Sequence, residues 1–188
     1  KKTIIPTFSD KEIEFFFNMY RDGKTNSVIE KLVEIYKKKS DDILLISLLG
    51  TFYGLNKDYD QAISFQKIAI ERAPFEPSFY RNLSETLKKV DKIRDALSIL
   101  YFAKILSLND QSIDYEIAKL NTDLNNYLAA DLIYTKLMRE KNINKEIMYS
   151  YCSNLIKLNK VNEAILFVEK NQINDKNNDI LMSLLGLA

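Results

Sequence analysis

The chain has 188 residues, 46% hydrophobic and 28% charged, which suits an ordinary folded core and is too apolar for a disordered segment. A formal net charge of +1 leaves no single-sign field to argue for a nucleic-acid or anionic-membrane surface. With no histidine and a single cysteine, Cys152, the commonest general base, a thiolate metal site and an intrachain disulfide are all excluded, and Gly (4) and Pro (3) are too scarce for a turn-rich all-β fold.

Residues 1–8 are read as an N-terminal extension. From Ser9 onward the chain falls into gapless rows of 34 residues that begin at Ser9, Ile43, Pro77, Gln111, Lys145 and Asp179. The period first shows in the tetrapeptide SLLG, at Ser47–Gly50 and again at Ser183–Gly186, 136 residues or four periods apart. Within a row, apolar residues recur at helical spacing in two stretches, as in Ile46, Leu49 and Tyr53 followed by Ala62, Phe65 and Ala69.

A polar break separates the two stretches. It is Asp22-Gly23 in 9–42, Lys57-Asp58 in 43–76, Asp91-Lys92 in 77–110, Asn125-Asn126 in 111–144 and Asn159-Lys160 in 145–178. Gly and Asn accept left-handed backbone and end helices, so each row is predicted to be a helical hairpin. In the fifth row a short second helix ending near Lys170 is the alternative to a full-length one, with 171–178 as a polar connector. The fragment 179–188 begins an eleventh helix that is cut short, and a continuation beyond Ala188 is the expectation.

Two columns are small. The eighth position reads Phe16, Gly50, Ser84, Ala118, Cys152, Gly186 and the twentieth Val28, Ala62, Ala96, Ala130, Ala164. One lies on each helix of a hairpin, where small side chains let the backbones approach and a larger one costs roughly 1–3 kcal/mol.

On these columns the sequence resembles the tetratricopeptide repeat (TPR) family. Row 43–76 matches best, with Leu49, Gly50, Tyr53, Ala62, Ala69 and Pro74 where that family's pattern has Leu, Gly, Tyr, Ala, Ala and Pro. The first and fifth rows depart at Phe16, Val28, Asn171 and Lys176, as end repeats of solenoids often do. The resemblance implies an all-α, right-handed α-solenoid of tandem helix-turn-helix repeats over residues 9–188. It also implies that first helices line a concave groove.

Carried onto this sequence, the groove positions that bind a partner are Phe17, Leu44, Leu48, Arg81, Glu85, Lys88, Tyr115, Lys119 and Tyr149. Leu44 and Leu48 would anchor an apolar side chain, unless they and Phe17 pack helix on helix. Arg81 and Lys119 would receive an acidic group. The family's carboxylate clamp needs Lys at position five and Asn at nine; no row has that pair, since Arg81 is followed by Glu85. Its asparagine ladder needs Asn at position six in successive rows, and Asn82 stands alone.

No catalytic, cofactor-binding or metal-binding residues are expected. Neither GxGxxG nor GxxxxGK[ST] occurs, Cys152 sits in a packing column, and acidic pairs such as Asp41-Asp42 stand where helix caps belong. The basic run Lys37-Lys38-Lys39 lies where it complements a helix C-terminus. The apolar run Ile43–Leu55, of 13 residues, is too short to span a bilayer, so no membrane insertion is expected.

The expected function is a protein-interaction module for a protein or peptide, within a longer polypeptide, and not an enzyme in itself. The alternatives are a non-catalytic arm of a larger sulfotransferase or glycosyltransferase, and a self-assembling scaffold. Association through the repeat ends is expected from Phe15, Phe16 and Phe17 at one end and Ile180, Leu181, Leu184, Leu185 and Leu187 at the other. One cysteine fits the reducing cytoplasm and equally a Cys-poor periplasmic protein.

Overall fold

The computed structural model describes residues 8–140 and 143–171. They form ten α-helices, and no strand is present among the described residues. The first helices are α1 (Asp10–Arg21), α3 (Ile43–Leu55), α5 (Pro77–Lys89), α7 (Gln111–Asp123) and α9 (Lys145–Lys157). Each is followed by a second helix: α2 (Thr25–Tyr36), α4 (Tyr59–Arg72), α6 (Ile93–Leu106), α8 (Tyr127–Leu137) and α10 (Val161–Lys170). The fifth second helix is therefore the short one. The eleventh helix, the second SLLG and the apolar end Ile180–Leu187 lie outside the described residues.

Local chemistry sets every boundary. All five first helices carry a side-chain N-cap, from Ser9, Asp42, Glu76, Asp110 and Asn144. Ser9 and Glu12 close a full capping box. Each first helix ends in one bonding pattern: in α3 the Lys57 N–H donates to the Gly54 carbonyl (3.1 Å) and the Asp58 N–H to the Tyr53 carbonyl (2.9 Å). That Schellman pattern needs one left-handed residue. Gly23, Lys57, Asp91, Asn125 and Asn159 supply it, at φ 77°, 64°, 60°, 60° and 60°. Four of the second helices start straight from this turn with no side-chain cap; Asp58 of α4 is the exception.

The chain divides into two compact units, 1–107 and 108–188. In the first, α3 packs on α4 and α5 on α6, with α2 against α3 and α4 against α5. Its core joins Phe8, Phe16, Val28, Leu32, Leu45, Leu49 and Phe52. The Phe16 ring stands edge-on to Phe8 at 5.4 Å and to Phe52 at 6.5 Å. Phe16 is thus core, Phe17 is half-buried and Phe15 alone is exposed, at 52%. The broad aromatic end surface expected of the three shrinks to one ring, because the larger Phe8–Phe16 pair fills the space that a small residue leaves elsewhere.

In the second unit α7 packs on α8 and α9 on α10, with α8 against α9. Its buried residues include Ala118, Ala130, Tyr134, Leu137 and Ile147 in one cluster and Cys152 and Val168 in another. Every described residue of the two small columns is buried. At Gly50 a Cβ would meet Gln66 Cγ at 3.0 Å and the Gln66 backbone nitrogen at 3.4 Å, so the two helices come close enough that even a methyl group crowds Gln66. Ser84 adds a bond across its pair, donating from Oγ to the Ala96 carbonyl at 3.0 Å.

Candidate functional site: the first-helix faces

On the face of unit one, the three apolar positions turn inward. Leu48 is 6% exposed and belongs to the core, so it has almost no surface to offer a partner. Phe17 and Leu44 are half-buried against the same core, with the Phe17 ring 5.1 Å from Phe52. Helix-on-helix packing accounts for all three. The run of leucines in α3 makes that helix apolar on every side, which hides from the sequence which leucines face out.

The charged positions lie further along. Arg81 is half-buried. Glu85 pairs with Lys88 and, at 3.7 Å, with Lys89. Partial burial pushes the Glu85 carboxyl up, but the hydrogen bonds and charges of the two lysines outweigh it and hold the group below its ordinary value.

Between α3 and α5 an open cleft of about 270 Å³ runs down to α4. Gly54 and Leu55 of α3, Tyr59 and Gln66 of α4 and Thr86 and Lys89 of α5 shape it, with Asn82 and Glu85 at its edge. Gln66 is 6% exposed and donates from Nε2 to Thr86 Oγ1 at 2.8 Å. Its other amide atom, Oε1, is buried and has no hydrogen-bond partner. Neither Gly54 nor Gln66 stands out in sequence: glycine is common at helix ends, and Gln66 is one polar residue on a second helix.

In unit two, Tyr115 donates from its hydroxyl to Glu146 Oε1 at 2.9 Å and shares a 3.0 Å bond with Ser150 Oγ, tying α7 to α9. Lys119 pairs with the same carboxylate at 3.8 Å and lies 5.8 Å over the Tyr115 ring. Burial, opposed by the Ser150 bond and assisted by Glu146, pushes the Tyr115 hydroxyl up to about 12. An acidic group approaching Lys119 therefore meets a cation already engaged by Glu146. Tyr149 is half-buried against the Cys152–Val168 core. Tyr115 and Tyr149 do share one register, but each has a packing role that spacing alone does not reveal.

No protein-family model and no curated protein matches the sequence. Solved structures do. A tetratricopeptide repeat protein from Parabacteroides merdae ATCC 43184 superposes with a TM-score of 0.78 at 15% identity, over 95% of this chain and 73% of that one. MamA from Desulfovibrio magneticus RS-1 gives 0.74 at 13% identity, over 91% of each chain. PilF of Pseudomonas aeruginosa gives 0.68 at 14% identity, over 88% of this chain and 77% of that one. This chain has the tetratricopeptide-repeat fold.

Set on the TPR hairpins, the other groups that the sequence singles out have structural surroundings. Cys152 is fully buried, and burial pushes its thiol up to about 12, which leaves no thiolate at neutral pH. No group of three metal-binding side chains occurs among the described residues. Asp42 caps α3 through a 2.9 Å bond from the Leu45 N–H, while Asp41 pairs with Arg72 at 2.6 Å. Lys38 of the basic run pairs with Glu34 at 3.2 Å. No helix of the described residues is long and apolar enough to cross a membrane.

Proposed function

We propose that this chain is a protein-interaction module that holds a peptide or protein segment on its first-helix faces, as part of a longer polypeptide. One observation carries the reading: the first helices α3 and α5 frame an open cleft of about 270 Å³ lined by both apolar and polar residues. A built hollow that exposes both kinds of surface suits a side chain of a bound segment. Within unit one, the Glu85–Lys88 charge pair beside it supplies orientation.

Selection of random dodecapeptides on the immobilised protein, followed by mapping of bound peptides through backbone amide shifts, tests this. Shifts concentrated on α3 and α5, or on α7 and α9, support the reading. Shifts confined to the second helices sink it.

Self-association is a second reading, favoured by an apolar patch in unit one. Phe102 and Ile105 of α6 are 55% and 68% exposed, and the Phe102 ring stacks on Tyr80 at 6.1 Å. Sedimentation of the wild type against Phe102→Ser with Ile105→Lys decides it. Association that persists in the double variant, or is absent in the wild type, removes this reading.

A further inference from the structure

The apolar patch of unit one extends beyond Phe102 and Ile105. Tyr101 is 46% exposed beside them on α6, and Phe75, in the turn before α5, is 83% exposed. The Tyr80 ring joins the two parts. It stacks on Phe102, and its hydroxyl donates to the Pro74 carbonyl at 2.8 Å, next to Phe75 in the chain. Tyr101 and Ile105 stand one turn apart on α6, so the surface is continuous. The hairpin does not require it. In the preceding row the positions of Tyr101 and Ile105 are held by Lys67 and Glu71, both exposed on α4.

Size and charge narrow the occupant. At about 200 Å² for a whole aromatic side chain, the exposed fractions of Phe75, Tyr101, Phe102 and Ile105 amount to roughly 500 Å² of apolar surface. A standard interface takes about 800 Å² from each partner, about 56–65% of it apolar. The patch therefore supplies the whole apolar share of one such interface. None of its side chains carries a charge, and the net charge of the chain is only +1. Two copies thus meet without like-charge repulsion, whereas a strongly charged partner finds no counter-charge here. An uncharged apolar patch is also complementary to itself, which is what a two-fold contact demands.

We propose that unit one pairs with unit one of a second copy of this chain about a two-fold axis. Phe75, the Tyr80–Phe102 stack, Tyr101 and Ile105 of each copy form the contact. The assembly is a closed dimer and not a filament, because the same patch is used on both copies and none is left over for a third. This deepens the self-association reading and rests on it.

The test follows the isotope-labelled protein through a dilution series, by sedimentation and by backbone amide signals. Sedimentation is expected to show a single step from monomer to dimer with no larger species. A two-fold contact moves one set of amide signals, here residues 74–80 and 98–106, whereas a head-to-tail contact moves two separate sets. Phe75→Ser and Ile105→Lys, both at exposed positions, should each weaken the dimer about tenfold and leave the Tm unchanged. Two separate sets of moving signals, or growth beyond the dimer, overturn the two-fold pairing and leave the self-association reading standing. Dimerisation undiminished in both variants overturns the assignment to this patch. A wild-type chain that stays monomeric up to about 1 mM overturns the pairing and the self-association reading together.

Discussion

Phe52 and Asn154 hold the tenth position of their first helices, one in each unit, and both are fully buried. Phe52 meets the rings of Phe16 and Phe17 and gains its stability from apolar area and ring packing. Asn154 donates from Nδ2 to the Tyr127 carbonyl at 3.1 Å and accepts from Thr122 Oγ1 at 3.4 Å. The same place in the same hairpin thus takes an aromatic ring or an amide. What the fold requires there is a filled volume and no unmet polar group. The contrast extends outward: unit one is built around Phe and Leu, whereas unit two links its first helices by Tyr115, Glu146 and Ser150.

The largest expected effect breaks the apolar side of this contrast. Phe52→Ala should cost about 3–5 kcal/mol of stability, read by denaturant unfolding, through the cavity left beside the Phe16 and Phe17 rings. Asn154→Ala should cost less, about 1–3 kcal/mol, by removing the two hydrogen bonds that its buried amide makes to Tyr127 and Thr122. If the order is reversed, the two positions are not doing the jobs assigned to them.

Overpacking should be indifferent to the contrast. Ala96→Leu in unit one and Ala130→Leu in unit two both replace fully buried residues of the small column. Each should cost roughly 1–3 kcal/mol, seen as a lowered Tm. A variant that melts at the wild-type temperature would show that the helices do not approach closely there.

The polar lacing of unit two predicts an alkaline weakness. Tyr115 keeps its proton in the folded state up to about 12, against 10.0 ordinarily. Above the ordinary value the folded chain binds more protons than the unfolded one, so stability falls as pH rises. The contribution is intact below about 10 and is lost on the way to about 12. Tyr115→Phe should flatten that part of the pH dependence of the denaturation midpoint. An unchanged slope would place the titration elsewhere. Because Tyr115 bridges α7 and α9, its truncation to alanine tests stability together with any binding.

The smallest effect sharpens the comparison at the turns. Unit one uses Lys57 and Asp91 in left-handed backbone, and unit two uses Asn125 and Asn159. Lys57→Gly relieves a steric cost of about 1–2 kcal/mol, partly offset by the entropy of an added glycine. A net gain of about 0.5 kcal/mol is expected by denaturant titration. Asn125→Gly should gain less, since asparagine already tolerates this conformation. An equal gain at both sites would mean that the turn, not the residue, sets the strain.

The period of 34, the hairpins, the small columns and the turn sites were all legible in the sequence, because they depend on local rules that repeat. Helix caps, left-handed turn residues and close helix approach each need a residue type at one spacing, and a single sequence displays spacing. The proposed binding face was legible only as a set of positions on the first helices. Leu48, Tyr115 and Glu85 stand at the sixth, fifth and ninth positions of their rows, yet Leu48 is core, Tyr115 is bonded across to Glu146, and Glu85 reaches solvent between two lysines. Which of these outcomes a position meets depends on what the neighbouring helices bring to it. The cleft at Gly54, and the unmet Gln66 carbonyl beneath it, arise where three helices converge. Only the tertiary structure decides such a place, because an absent side chain and an absent hydrogen bond leave no periodic mark on the chain.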